Sequence, residues 1–159
     1  MKPFAIGTCG WTDAADALRK VRHDVFVVEQ RVPESLEWDD ADATSLHALA
    51  VDASGEPIGC ARLLPDGHIG RVAVLRPWRR HGIGTALMRR LIDESMRRGD
   101  GTVIVNAQVT AIAFYTALGF TVAGEPFDEA GIPHRVMHRA AAAGNVPSPL
   151  GSGDGACTR

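Results

Sequence analysis

The segment richest in chemical content runs Val72-Ala73-Val74-Leu75-Arg76-Pro77-Trp78-Arg79-Arg80-His81-Gly82-Ile83-Gly84-Thr85-Ala86-Leu87. An apolar β-type run gives way to a basic loop, and two glycines then open a stretch whose apolar residues recur at helical spacing. The first N–H groups of a helix have no partner within it, and the helix dipole makes that end positive. Gly82 and Gly84 let an anion approach the main chain, and Arg79, Arg80 and His81 supply cationic side chains. Such a turn suits a phosphate or pyrophosphate. It is not a P-loop, since no GxxxxGK[ST] run exists. It is not a dinucleotide fingerprint either: the third glycine position of GxGxxG is Leu87, and the turn sits mid-chain. On these residues alone a plain helix start with a basic edge stays open.

The turn needs a strand before it and a helix after it, and the flanking patterns provide both. Phe4 to Thr8 reads as a short strand. Thr12 offers a cap for a helix whose stripe is Ala14, Leu18, Val21, Val25 and Val28. Residues 33 to 45 read as a polar loop. Leu46 to Asp52, Ile58 to Leu64 and His68 to Leu75 form an antiparallel meander, punctuated by Ser54-Gly55-Glu56-Pro57 and Pro65-Asp66-Gly67. From Gly82, the residues Ile83, Leu87 and Leu91 mark a helix with Asp93–Arg97 and Glu94–Arg98 spaced as i,i+4 pairs; it ends at Gly99-Asp100-Gly101. Thr102 to Asn106 is a buried-type strand, Thr110 to Leu118 a helix, Phe120 to Phe127 a strand, and His134 to Arg139 a last strand. The order predicts a mixed α/β sheet with an antiparallel N-terminal meander and a C-terminal βαβ unit. Residues 3–139 would form one domain. From Ala140 to Arg159, Ala, Gly, Ser and Pro dominate, which predicts a disordered tail.

A length of 159 residues with 45% hydrophobic and 23% charged residues fits one globular domain. The formal net charge of −2 gives no basic field for nucleic acid. No apolar run is long enough for a membrane helix, and the N-terminus turns polar too soon for a signal peptide. Cys9, Cys60 and Cys157 are sparse and unpaired in pattern, as expected of reduced thiols in a cytoplasmic protein. Cys60 reads as a core residue. The histidines show no metal-ligand spacing, so no metal is expected.

The pattern Arg79-x-x-Gly82-x-Gly84 after a Val-Ala-Val strand resembles the acyl-CoA signature of the GNAT acetyltransferase superfamily. Downstream, Ala111-Ile112-Ala113-Phe114-Tyr115-Thr116-Ala117-Leu118-Gly119-Phe120 resembles that family's AxxFYxxxGF segment. Val25 to Pro33, Glu37-Trp38-Asp39, Ala61 to Pro65, Ile69 to Val74 and Gly131 to His134 are similar to the ElaA branch. The resemblance covers residues 3 to 139. It implies a GNAT acyl-CoA N-acyltransferase fold and acetyl transfer from acetyl-CoA to a small-molecule or protein amine, by direct attack in a ternary complex. A non-catalytic acyl-CoA binding or sensing module is the alternative, and a protein-interaction domain whose turn binds nothing is a further one. Exposed strand edges would also allow a homodimer.

Carried onto this chain, the resemblance implies that Val72, Ala73 and Val74 meet the pantetheine arm through main chain, beside a gap that opens toward Thr102 to Asn106. Residues Arg79, Arg80, His81, Gly82, Ile83, Gly84 and Thr85 would hold the pyrophosphate. Tyr115, the one tyrosine, would protonate the departing thiolate; read without the resemblance, it is a half-buried aromatic with a wet hydroxyl. Gln108 stands where relatives often carry an asparagine that touches the cofactor. Where some relatives place a base, this chain has Gly70-Arg71, so the base is open among Glu29, His47, Asp128, Glu129 and His134. Glu29, Glu34, Glu37, Asp39, Asp40 and Asp42 would line an acceptor cleft as a negative rim, with most of them solvated.

Overall fold

A computed structural model describes residues 2–140. Strands β1 (Phe4–Cys9), β2 (Leu46–Asp52), β3 (Pro57–Leu63), β4 (His68–Val74), β5 (Thr102–Gln108), β6 (Thr121–Glu129) and β7 (Ile132–Ala140) form one mixed sheet. Its order is β1-β2-β3-β4-β5-β7-β6, and only β4 and β5 pair in parallel. The meander and the βαβ unit are both present. The expected disordered tail lies outside the described residues, except that Ala140 closes β7.

Helices cover both faces. α1 (Trp11–Arg22) packs Leu18 and Val21, and the segment that continues it packs Val25 and Phe26, against Cys60 and Ala73. On the opposite face, α3 (Ile83–Arg97) buries Ile83, Leu87, Met88 and Leu91 against Ile58, Val72 and Val74. Alternation along β4 sends Ala73 to one layer and its neighbours to the other. The close fit of α3 depends on Gly59, where a Cβ would stand 3.1 Å from Ile83 and 3.2 Å from the Ala73 carbonyl. The short α4 (Ile112–Ala117) carries Tyr115 into the α3 layer.

Four expectations need correcting. α1 starts after Gly10 rather than Thr12, and Asp13 accepts a hydrogen bond from the Gly10 N–H at 3.3 Å. It then runs into a π-helical segment, His23–Glu29, where Gln30 N–H donates to the Val25 carbonyl five residues back. That wider turn rotates the apolar stripe, so Phe26 is buried and Val28 is 62% exposed. On α3, Glu94 pairs with Arg90 and Arg97, while Arg98 turns to Asp100 at 2.7 Å. Finally, residues 33 to 45 are not a simple loop: α2 (Glu34–Glu37) and a 3-10 turn over Asp40–Thr44 bury Glu37 and Asp42.

Candidate active site

The parallel contact between β4 and β5 is brief. His68 pairs with Ile104 and Ile69 with Val105, and the register ends there. Gly67 brings the strands together at that end: its carbonyl accepts from Ile104 N–H at 3.1 Å, and a Cβ would lie 2.8 Å from the Thr102 carbonyl. Just past Ile69, Arg71 has a positive φ of 50°, and the register with β3 shifts between Cys60 and Arg62. This is a bulge, which bends β4 and takes backbone groups out of the ladder. Val72, Ala73 and Val74 follow it, all buried, on the strand that diverges from β5.

The diverging strand leads to the glycine turn. Arg80 (φ 67°) and Gly82 (φ 78°) both lie in the left-handed region, and Gly82 caps α3. A Cβ on Gly82 would meet nothing within 4 Å, so open space stands over the first N–H groups of a 15-residue helix. Ile83 and Gly84 are buried beneath, while His81 and Thr85 are half-buried. The turn therefore fits a phosphate through backbone donors.

Arg79 is committed to the protein itself. Its two terminal nitrogens donate to the two Glu29 oxygens, each at 2.8 Å, and its Nε donates to the Val74 carbonyl at 2.9 Å. This fork ties the π-helical segment to the turn. It spends Glu29, expected among the bases, and it occupies the Val74 carbonyl, expected to meet the pantetheine. The hydrogen bond and charge of Arg79 outweigh burial and hold the Glu29 carboxyl below its ordinary range.

Below the gap lies a cavity of ≈ 470 Å³, lined by Asp39, Arg62, Asp66, Arg71, Asn106 and Glu129 among others. Its wall is an ion network. Arg22 donates to Glu37 at 2.9 Å and to Asp42 at 2.7 Å; Arg62 bonds Asp42 at 3.0 Å and Asp39 at 2.7 Å; Arg71 pairs with Glu37 at 3.0 Å and Asp39 at 3.2 Å. Three guanidiniums and three carboxylates balance in charge, with Arg22 and Glu37 wholly buried. Of the expected rim, Glu34, Asp39 and Asp40 are exposed and Asp39 lines the cavity, whereas Glu37 and Asp42 are internal. Composition hid this, but its signal was present in Arg62 and Arg71, charged residues inside otherwise apolar strands opposite an acidic stretch.

The other expected residues divide. Tyr115 is fully buried rather than half-wet, edge-on to Phe114 (4.9 Å) and Phe120 (5.8 Å). Gln108 donates to Gln30 at 2.9 Å, closing the end of β5 against the end of the first helix. His134 sits opposite Gln108 in the β5–β7 ladder, its Nδ1 2.6 Å from the Ile132 carbonyl and its Nε2 3.6 Å from Glu129. Asp128 is exposed on β6. His47 is buried on β2, 2.9 Å from the Asp42 carbonyl and against Trp11, two strands from β4. Cys60 packs in the core, and burial raises the half-buried Cys9 thiol, which makes it less reactive.

These environments set a pH response. Burial pushes the His47 imidazole below its ordinary value, and Arg79 lowers Glu29. Burial raises the Asp39 carboxyl, yet the Arg62 hydrogen bond and the charges of Arg62 and Arg71 bring it below normal. In each case the unfolded chain binds protons more readily, so stability rises with pH. Unfolding free energy should fall as pH drops below about 6.5, where His47 first contributes, and more steeply below about 4.5. Denaturant titrations from pH 8 to 4 read this; a flat profile would contradict the network.

The chain matches the acetyltransferase (GNAT) domain family over residues 14–140. It is 37% identical over 121 residues to the uncharacterized N-acetyltransferase YjcF of Bacillus subtilis, covering 74% of this chain and 86% of that protein. It is 33% identical over 131 residues to ElaA of Escherichia coli, covering 77% and 85%. Among solved structures, an acyl-CoA N-acyltransferase from Pseudomonas aeruginosa aligns at TM-score 0.76 and 32% identity over 87% of this chain and all of that one. The E. coli ElaA crystal structure aligns at TM-score 0.76 and 29% identity, over 85% and 99%. Among the described residues no helix is long and apolar enough to cross a membrane. A splayed β4–β5 pair, a glycine turn at the head of α3 and these relatives lead to one conclusion: the chain is a member of the GNAT acetyltransferase family, with ElaA among its relatives.

Proposed function

We propose that this protein transfers the acetyl group of acetyl-CoA to a primary amine by direct attack in a ternary complex. The observation that carries this is the end of β4–β5 pairing after Ile69/Val105, directly before the Arg71 bulge and in line with the turn at Gly82. An extended arm entering there meets main-chain groups at Val72 and Ala73, and a thioester oxygen meets an N–H donor at the bulge. The pyrophosphate is received by the N–H groups of Gly82, Ile83, Gly84 and Thr85, with Arg80 and His81 at the rim. Arg79 acts as the brace that holds the turn to Glu29.

Amine nitrogen forms a bond to the thioester carbonyl carbon, the C–S bond breaks, the thiolate takes its proton from Tyr115, and the proton then lost from the new amide nitrogen makes good the one that Tyr115 gave up. The ammonium proton must leave first. Of the base candidates, Glu129 is the one that lines the cavity, with its Oε2 3.6 Å from His134 Nε2, and it is the group we assign to take that proton. Glu29 is engaged with Arg79, and His47 lies behind the ion network.

Release of free thiol from acetyl-CoA, followed across primary amines, tests this reading. Amine-dependent release is expected. Cofactor binding without release on any amine would leave the non-catalytic acyl-CoA module.

A further inference from the structure

Two carboxylates of the cavity stand outside the ion network of its wall. Arg22, Arg62 and Arg71 are balanced within that wall by Glu37, Asp39 and Asp42, and Asp39 has one oxygen on Arg62 and the other on Arg71. Asp66 and Glu129 also line the cavity, and neither pairs with a lysine or arginine among the described residues. Their side chains are accessible, at 62% and 36%, whereas the two guanidiniums of the lining are buried. Arg98, which donates to the Leu64 carbonyl at the turn that carries Asp66, is itself paired with Asp100 at 2.7 Å. The surface that a ligand meets is therefore negative.

The two carboxylates come from different turns. Asp66 lies between β3 and β4, and Glu129 ends β6 at the turn into β7. Burial raises the Asp66 carboxyl, yet its hydrogen bonds with the His68 N–H and ring bring it below its ordinary range, so it is charged at neutral pH. Both of those contacts fall on Oδ1. Leu36, although apolar, is 53% exposed, and with Leu64, Ile69 and Ala130 it gives the cavity an aliphatic side. Negative charge from two turns, joined by an aliphatic wall, is complementary to an alkyl chain that carries a cation at each end.

We infer that the acceptor is an aliphatic diamine, its reacting amine beside Glu129 and its second ammonium held by Asp66. This rests on the reading of the cavity as the acceptor site. Asn106 follows Val105, where the β4–β5 pairing ends, and its side chain lines the cavity with no hydrogen bond among the described residues. Its amide oxygen is available to the reacting amine at the gap. A ≈ 470 Å³ cavity has room for a short diamine.

The test uses probes of one chain length that differ only in the charge of the far end: putrescine, butylamine and 4-aminobutyrate. The five-carbon series is cadaverine, pentylamine and 5-aminopentanoate. In the full-length protein with acetyl-CoA, at pH 8 and low salt, kcat/KM in the better series should rank diamine over monoamine over amino acid. The first step should be at least about tenfold, well beyond the factor of two that a diamine gains from its equivalent ends. Asp66→Asn keeps the oxygen that accepts from the His68 N–H and removes the charge, so it should bring the diamine-to-monoamine ratio toward that factor of two, chiefly through KM. Added salt should shrink the ratio in the parent as well. Thiol release that is equal or faster with the monoamine or the amino acid overturns the inference and leaves the proposed function standing. A diamine preference that survives Asp66→Asn undiminished also overturns it. Release with no amine removes the proposed function, and the inference falls with it. The ranking and its salt dependence in the parent are decisive even where Asp66→Asn fails to fold.

Discussion

Replacing Arg22 by methionine should destabilise the protein by about 3–5 kcal/mol, a large share of a typical domain's total stability. Arg22 is 1% exposed and holds Glu37 through Nε, the Glu37 carbonyl through Nη2 and Asp42 through Nη1, at 2.7–2.9 Å. Methionine fills a similar volume, so the loss is electrostatic rather than a cavity. Glu37 and Asp42 remain buried with only Arg71 and Arg62 to balance them. The cost is that of leaving carboxylates short of a partner, not the net worth of an ion pair. Urea denaturation reads the effect directly. Adding Glu37→Gln to Arg22→Met should recover part of the loss, because one stranded charge is removed. A loss below about 1 kcal/mol for Arg22→Met would mean the network is solvated in solution. Loss of this network should also disturb the cavity wall, since Arg62 and Arg71 share its carboxylates.

The second large effect concerns the rate. Tyr115→Phe keeps the ring edge-on to Phe114 and Phe120 and removes only the hydroxyl. Stability should change little, within about 1 kcal/mol. If the hydroxyl protonates the departing thiolate, kcat for thiol release should fall by about 10²-fold or more, with KM for acetyl-CoA little altered. Because Tyr115 is closed off from solvent, no bulk water stands ready to replace its proton at that position. Unchanged kcat would assign Tyr115 to the core alone and leave protonation of the thiolate to solvent. A loss confined to KM would make the hydroxyl a binding group.

Local pattern carried much of this protein. The meander, α3, β5 and the AxxFYxxxGF helix follow from alternation, helical spacing and glycine punctuation, all of which act over a few residues. Gly82 was legible because a strand, a basic loop and a glycine pair stood together. What pattern did not carry was anything set by distant partners. The π-helical step depends on a single extra residue in the ladder, which apolar spacing cannot register, and it reversed the expectation for Val28. The bulge at Arg71 leaves no composition signal because arginine is an uncommon residue at positive φ. Arg79 reads as a phosphate ligand from its motif; only folding brings Glu29, 50 positions earlier, onto both of its terminal nitrogens. Glu37 and Asp42 read as solvent-facing because their three arginine partners lie 15 to 34 residues away in sequence. The Glu129–His134 pair was visible as two candidates but not as a pair.

The central claim is an acyl-CoA site built from the β4–β5 gap and the turn at Gly82, and thermal melting with and without acetyl-CoA tests it most directly. Gly82→Asp is the informative comparison. Aspartate tolerates the left-handed conformation better than most residues, and its Cβ would meet nothing within 4 Å, so the variant should fold. Its carboxylate would stand where the phosphates are to be received. At about 100 times the dissociation constant, acetyl-CoA should stabilise the parent by about 2.7 kcal/mol and raise its melting temperature, while Gly82→Asp should melt at one temperature with or without it. A parent that does not respond to acetyl-CoA, or a variant that responds as strongly as the parent, would contradict the site.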